Sequence, residues 1–414
     1  MQIIGCILSL TAAAAQSPIT AEETAPVISY DQAADYIDRI CYVHGRVVNT
    51  RNIGSRCFLN FHADFKNHFT VVINQRDFDK FPEPPEVKYL NQNVKVFGRV
   101  VEFNGKPEIV VSDPNRITIL TEPYRGPTSL PASVKPAKRQ FTGAVRIATY
   151  NLLNLFDGED DPYHDDEGTP TKPRDAIEKV AATIRKIDAD VLAVQEVENR
   201  FYLERVVQAL LPDMGYREVV LFEGNDRRGI DVAILSRFPV GPVTSYRHLR
   251  FSDGNGVEMS FRRDLLQARI EPPGAEAFEM FVVHLKSKGG GADASLPIRM
   301  GEAGQLRKVL DSVLARDARA RFVVCGDFND TLDSEPMRTI LGTGPAALRH
   351  LADELPEAER VSFNKAPYRS MIDFILASPG MARCYRKGSA RILPGTVEDS
   401  GSDHNPVMAT FDLR

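Results

Sequence analysis

Carboxylates, carboxamides and imidazoles in this chain gather at the ends of apolar runs. The clearest case is RFVVCGDFND, where Phe322-Val323-Val324-Cys325 reads as a buried strand and Gly326, Asp327, Phe328, Asn329 and Asp330 follow it. Asp327 and Asn329 are two residues apart, so in extended backbone their side chains share a face while Phe328 turns into the core. The pattern recurs at Asn151 after Val145–Tyr150, at Glu196 after Val191–Val194 and at His284 after Phe278–Val283. It recurs again at Asp373 beside Ile372–Leu376, and at Asp403 and His404 ahead of Val407–Phe411. Asp or Asn at a strand end can simply begin a turn, but random surface polarity would not spare strand interiors so consistently. Carboxylate and amide oxygens suit a hard cation such as Mg²⁺ or Mn²⁺. Two histidines beside acids suit proton transfer and contact with a phosphate.

The elements that must position these groups alternate between strand and helix from residue 144 to residue 414. Ile177, Val180, Ala181, Ile184 and Ile187 mark one face of an amphipathic helix. Further strands are expected at Arg217–Leu221, Val232–Leu235 and Leu266–Ile270, and a helix opened by Pro297 over Ile298–Arg316. This is an α/β pattern with its polar residues at the strand ends, where such sheets place ligands. No G-x-x-x-x-G-K-[ST] loop is present, which excludes triphosphate-driven motors of that type.

Ahead of this segment the period changes. Residues 28–121 read as a short helix over Asp31–Ile40 and then strands at Cys41–Asn49, Arg56–Phe61, Phe69–Asn74, Val94–Phe103 and Glu108–Leu120, the last broken at Pro114. A helical stretch, Gln75–Phe81, separates the third strand from the fourth, which is the plan of a small OB-like barrel. Val43-His44-Gly45-Arg46-Val47-Val48 is echoed by Val96-Phe97-Gly98-Arg99-Val100-Val101, with a mid-strand glycine suited to tight coiling. Phe58, Phe61, His62, Phe65, His68 and Phe69 offer stacking surfaces for bases or side chains to fill the barrel. Residues 122–143, with Pro123, Pro127, Pro131 and Pro136, read as a semi-rigid linker.

At 414 residues two domains are expected. The hydrophobic fraction of 43% and charged fraction of 26% are those of a soluble globular protein. A net charge of −5 argues against a polybasic binder of nucleic acid or membrane. Residues 1–17, apolar over Ile3–Leu10 and small over Thr11–Ala15, resemble a secretory signal, so export is expected. Ile3-Ile4-Gly5-Cys6 resembles a lipobox, which would add a lipid anchor if the true start lay upstream. No later run reaches the ~18 apolar residues of a membrane span. The cysteines form neither a Cys-x-x-Cys pair nor a disulfide framework. With a hairpin turn around Arg51–Gly54, Cys41 would face residues near Asp64 and Cys57 those near Val47.

TYNLLNLF, VLAVQEVEN, GIDVAILSR, FVVHLKSK, GDFND, MIDFIL and SDHNPV occur in that order over Val145–Leu413 and resemble the motif set of the endonuclease/exonuclease/phosphatase superfamily. FLNF and GKPEI, in the preceding segment, resemble the OB-like domains that precede certain secreted bacterial nucleases. The resemblance implies a four-layered α/β sandwich, two mixed sheets flanked by helices. It also implies a metal-dependent phosphodiester hydrolase, with Mg²⁺ as the ion and Mn²⁺ or Ca²⁺ as alternatives.

By motif, Asn151, Glu196 and Asp403 would serve the metal, and Asp327 and Asn329 would orient water and the scissile phosphate. His284 and His404 would contact the phosphate, Asp373 would pair with His404, and Asp231 would stand near His284. Arg228, Arg263, Lys286 and Lys288, with Arg227 and Arg299, are candidates for a substrate rim. Asp157, Asp160, Asp161, Asp165, Asp166 and Glu167 crowd one loop that could be simply solvated or hold a further cation. A monomeric exported endonuclease acting on DNA or RNA is the leading expectation. A phosphomonoesterase or a phospholipid or inositol-phosphate phosphodiesterase is the alternative, and a binding protein with an inactive catalytic module is the third reading.

Overall fold

The structure, a computed structural model, describes residues 25–37, 39–123, 141, 143–158, 164–165, 168–253 and 255–413. The secretory signal, most of the linker, and Asp160, Asp161, Asp166 and Glu167 lie outside the described residues. Two compact units are distinguished, one drawn mainly from residues 25–123 and the other mainly from 143–413.

The larger unit is a mixed α/β fold built on two six-stranded sheets. One runs Glu218–Leu221, Asp231–Ser236, Val191–Val197, Ala144–Leu155, Val407–Asp412 and Arg391–Ile392 from edge to edge. The other runs Val240–Ser245, Leu266–Ile270, Phe278–His284, Phe322–Asp327, Asp373–Ala377 and Arg349–His350. The sheets face each other through one apolar cluster that takes Val145, Ile147, Val191 and Ile234 from the first and Ala268, Met280, Val282 and Val323 from the second. Strand alternation sends the intervening Phe281, Val283, Phe322 and Val324 to the opposite face. There they meet Leu306, Leu310 and Leu314 of the helix Ala292–Arg316. Each such side chain contributes roughly 1.5–3 kcal/mol by burial. The helix Arg174–Ile187 likewise buries Ile177, Val180, Ala181, Ile184 and Ile187.

Several elements differ from expectation at their ends. The Ala292–Arg316 helix begins well before Pro297, which lies inside it and costs it one backbone bond near the amino end. The strand Val240–Ser245 is not apparent in sequence because Gly241 and Pro242 interrupt it. Its burial is only partial, as befits an edge.

The smaller unit is all-β apart from short helical turns, with its strands in two sheets. Val27–Ser29, Ile40–Arg46, Asn93–Arg99 and Ile117–Leu120 form one; Asn49–Asn52, Arg56–Asn60, Thr70–Asn74, Lys106–Val110 and Val101–Phe103 form the other. The expected 41–49 and 94–103 strands are thus each divided, one part in either sheet. The expected Glu108–Leu120 strand is two strands in different sheets, separated by a turn at Pro114 that Asp113 caps through the Asn115 amide at 2.9 Å. The repeated glycines answer to packing. A Cβ on Gly45 would lie 2.7 Å from the Phe61 and Tyr30 rings, and one on Gly98 2.5 Å from Ile109. The cysteine register also differs from expectation: Cys41 lies opposite Gly98, and Cys57 opposite Asn52 and Ile73. Both thiols are free and buried.

Candidate active site

Sheet register brings the strand-end residues together. In the second sheet His284 pairs with Asp327 across a parallel ladder, and Asp327 with Asp373 across an antiparallel one, so three functional side chains stand abreast. In the first sheet Asn151 pairs with Gln195. Register shifts then follow, between Asn151 and Leu155 on one strand and between Gln195 and Val197 on the next. Glu196 sits in the second irregularity at φ 60°, and Leu153 and Asn154 sit in the first at φ 53° and 54°. Such bulges re-aim a side chain out of the ladder.

Asp327 is the hub. Its Oδ1 accepts from the Asn329 amide at 2.8 Å, and its Oδ2 accepts from Asn151 Nδ2 at 3.1 Å. Oδ2 also lies 3.5 Å from His284 Nε2 and 3.8 Å from His404 Nε2. Asn151 Nδ2 donates in addition to Glu196 Oε1 at 3.2 Å, and His284 Nε2 is 3.9 Å from that same oxygen. Glu196 Oε2 accepts from the Asn154 amide at 2.9 Å. On the other side His404 Nδ1 and Asp373 Oδ2 are 2.8 Å apart, and His404 Nε2 is 4.0 Å from Asp403 Oδ1. Ser362 Oγ, a residue without a sequence signal, accepts from the Ile372 and Asp373 amides at 2.9 Å and steadies Asp373.

The electrostatics separate the two histidines. Burial pulls His284 well below the ordinary imidazole range, helped by Arg263, His404, Arg228 and Lys286, so its ring is neutral. Burial would do the same to His404, but the charge and hydrogen bond of Asp373, with Asp327 and Asp403, reverse it and take it up to about 10. Asp327 is raised to about 7 by burial first and then by Asp373 and Glu196, against the pull of His404 and the Asn329 amide. That crowding of carboxylates is what a bound cation would relieve, and the oxygen-rich donor set fits a hard divalent ion. Glu196 Oε1 lies 3.9 Å from His284 Nε2, and Asp403 Oδ1 lies 4.0 Å from His404 Nε2, with Asp403 Oδ2 3.4 Å from Lys365 Nζ.

Asp327, Asp373 and His404 also bring ligand atoms within 4.8 Å of one another. Within that triple His404 Nδ1 is already engaged with Asp373 Oδ2. Asn151 departs from its expected role as well. Its Oδ1 accepts from the Leu153 amide at 3.0 Å, so it is the amide nitrogen that faces the carboxylates, and Asn151 enters as a donor bridging Glu196 and Asp327.

Other expectations are corrected. Asp231 does not pair with His284: its Oδ1 accepts from the Gly224 amide at 2.7 Å, and His284 Nδ1 is buried without a partner among the described residues. Arg299 is no rim residue. It is buried, with Nε 3.0 Å from Asp330 Oδ2 and Nη1 donating to the Lys286 carbonyl at 3.1 Å. Lys288 Nζ is held by Asp330 Oδ1 at 2.8 Å, and Lys286 Nζ folds back onto the Ser287 and Gly289 carbonyls at 2.9 and 3.1 Å. Arg227 pairs with Asp165 at 2.7 Å, and Asp157 with Arg205 at 3.0 Å, so these two acids of the crowded loop serve ion pairs. Arg228 stays at the site, donating to Asn154 Oδ1 at 3.3 Å. Arg263 is buried, paired with Asp226 at 3.1 Å, and its Nη1 has no partner among the described residues.

Besides Ser362, a lysine at the site carries no sequence signal. Lys172, in the loop before the Arg174–Ile187 helix, is buried, and burial draws its ammonium down to about 8 against the opposing pull of Glu196 and Asp403. A single lysine before a proline carries no signal in sequence.

The profile described as "Endonuclease/Exonuclease/phosphatase family" matches residues 146–355. Among solved structures the chain is similar to the human Nocturnin catalytic domain, at 17% identity over 66% of this chain and 95% of that one, TM-score 0.47. It is similar to an endonuclease/exonuclease/phosphatase from Beutenbergia cavernae, at 20% identity over 65% of this chain and 72% of that one, TM-score 0.47. It is also similar to D. rerio TDP2, solved with a single strand DNA product, at 18% identity over 65% and 98%, TM-score 0.45. No curated protein matches the chain.

Proposed function

Because the chain belongs to the endonuclease/exonuclease/phosphatase family, it is a hydrolase, and we propose that it cleaves phosphodiester bonds of nucleic acid with the help of a divalent cation. The observation that carries this reading is the placing of Asp327 Oδ2 within 3.1 to 3.8 Å of Asn151, His284 and His404 at once. Held at Glu196 and Asp403, Mg²⁺ would supply the positive charge that a phosphorus centre and its leaving oxygen need. Asp327, lifted toward neutrality, is the base for the attacking water. His404, kept protonated by Asp373, is the acid for the leaving oxygen. Neutral His284 offers a ring N–H to a phosphate oxygen, and Asn329, anchored to the Leu285 carbonyl at 3.0 Å, lies beside it.

The passage of the 40–52 and 93–103 stretches from one N-terminal sheet to the other supports reading residues 28–121 as an OB-like module that holds the polymer. The apolar Ile3–Leu10 run, followed by small residues, supports export. The test is a substrate panel of supercoiled plasmid, single-stranded DNA, RNA, an inositol phosphate and sphingomyelin, each with Mg²⁺ or EDTA. Plasmid nicking that EDTA abolishes is expected. Turnover of the inositol phosphate or sphingomyelin, with nucleic acid left intact, would overturn the nuclease reading.

A further inference from the structure

Lys172 is the feature of this site that the mechanism above does not use. Its side chain is buried, yet its hydrogen bonds go to two neutral carbonyls, Leu153 O at 2.8 Å and Gly401 O at 2.7 Å. A buried ammonium is ordinarily retained beside a carboxylate that offsets its desolvation. Here it joins two segments remote in sequence: a turn whose Asn154 amide donates to Glu196, and the loop that leads from Gly401 to Asp403.

The first segment is a strained turn. Leu153 and Asn154 are consecutive non-glycine residues in the left-handed region, and such strain persists only when the surroundings enforce it. The turn points its amides inward: Leu153 N donates to Asn151 Oδ1 at 3.0 Å and Asn154 N to Glu196 Oε2 at 2.9 Å. Relaxing it would release the Glu196 carboxylate.

The second segment follows Gly401, which has φ 74° and on which a Cβ would lie 2.3 Å from the Ala176 carbonyl. Ser402 Oγ donates to the Asn151 carbonyl at 2.7 Å and accepts from the His404 amide at 3.1 Å, and Asp403 lies between them. One ammonium therefore fixes both the turn that aims Glu196 and the loop that presents Asp403.

We propose that Lys172 is a positioning residue: by tying the turn that bonds Glu196 to the loop that carries Asp403, it fixes the two carboxylates relative to one another for one divalent cation. The inference rests on the reading of Glu196 and Asp403 as the cation site. It has a signature that a mere charge effect lacks. Removing a positive charge near two carboxylates would tighten cation binding, whereas removing a clamp between them loosens it.

The experiment measures Mn²⁺ affinity by calorimetry on the full chain for wild type, Glu196→Ala, Lys172→Met and Lys172→Arg, with apo-state thermal midpoints alongside. Lys172→Met should weaken Mn²⁺ at least about tenfold, as loss of a group that orients metal ligands does. Lys172→Arg, able to donate to both carbonyls, should fall between that variant and wild type. Should Lys172→Met not fold, Lys172→Gln, which keeps a donor, takes its place. A folded Met or Gln variant that binds Mn²⁺ as tightly as wild type, or more tightly, overturns the proposal. Unchanged binding by Glu196→Ala would instead remove the cation-site reading itself, and the Lys172 proposal with it.

Discussion

His404 and His284 are the same residue type within one site, yet their surroundings drive them to opposite charge states. Burial acts on both; only His404 has an aspartate 2.8 Å away to outweigh it. Asp373→Asn should therefore let burial win and leave His404 unprotonated near neutral pH. The expected result is a loss of about 10²–10⁴ in kcat, the usual worth of a general acid. An NMR titration of the His404 ring checks the cause; a ring in the variant that still holds its proton well above pH 7 would mean that Asp373 is not responsible. Linkage gives a second readout. The folded value lies above the unfolded one, so the stability His404 contributes is complete below pH about 6.5 and is lost as pH rises toward 10. Asp373→Asn should thus cost most stability in acid and least in alkali. Glu196→Ala and His404→Ala should each abolish turnover while leaving the far-ultraviolet circular dichroism unchanged; either variant working at the wild-type rate would refute its assignment.

Among the elements, the Phe322–Asp327 strand carries the tightest constraint. Gly326 has φ 146°, and a Cβ there would lie 1.9 Å from the Val283 carbonyl of the neighbouring parallel strand. Gly326→Ala must therefore part the ladder that sets His284 beside Asp327. A loss of about 3 kcal/mol or more is expected, seen as a lower urea midpoint with unchanged slope. The edge strand Arg349–His350 makes a different prediction. His350 is buried against Phe374, at 5.1 Å between rings, with neither ring nitrogen partnered among the described residues. Burial takes it down to about 4, against Asp353. The folded value lies below the unfolded one, so this stability is present above pH about 6.5 and is lost as pH falls toward 4, up to roughly 3 kcal/mol. His350→Leu should flatten the fall in thermal midpoint between pH 7 and 4, and an equally steep fall in the variant would place the acid sensitivity elsewhere.

On the scale of the whole molecule, each unit has its own apolar cluster: one around Val43, Leu59, Val71 and Val96, the others around the two six-stranded sheets. Removing residues 1–136 should accordingly leave an active hydrolase. If the N-terminal unit grips polymer, the truncated enzyme should show a raised KM for long nucleic acid, with kcat little changed and a short dinucleotide ester cleaved at the wild-type rate. An unchanged KM on the long substrate would make that unit structural.

Residue type and period determined most of what the sequence offered by itself. Apolar runs of strand length, helical spacing in 177–187 and polar residues at strand ends depend on local chemistry, and they marked Asn151, Glu196, His284, Asp327, Asp373 and His404 as one set. Tertiary structure decided what each of them does. Whether Asn151 turns its oxygen or its nitrogen to the site depends on the Leu153 amide, and whether Asp231 meets His284 depends on the Gly224 turn. Arg299 and Lys288 are ordinary basic residues until Asp330 claims them. Lys172 acquires a role only because Leu153 and Gly401, far apart in the chain, turn their carbonyls to the same point. Hydrogen bonds and charge act over a few ångströms in space, and separation along the chain does not encode that distance.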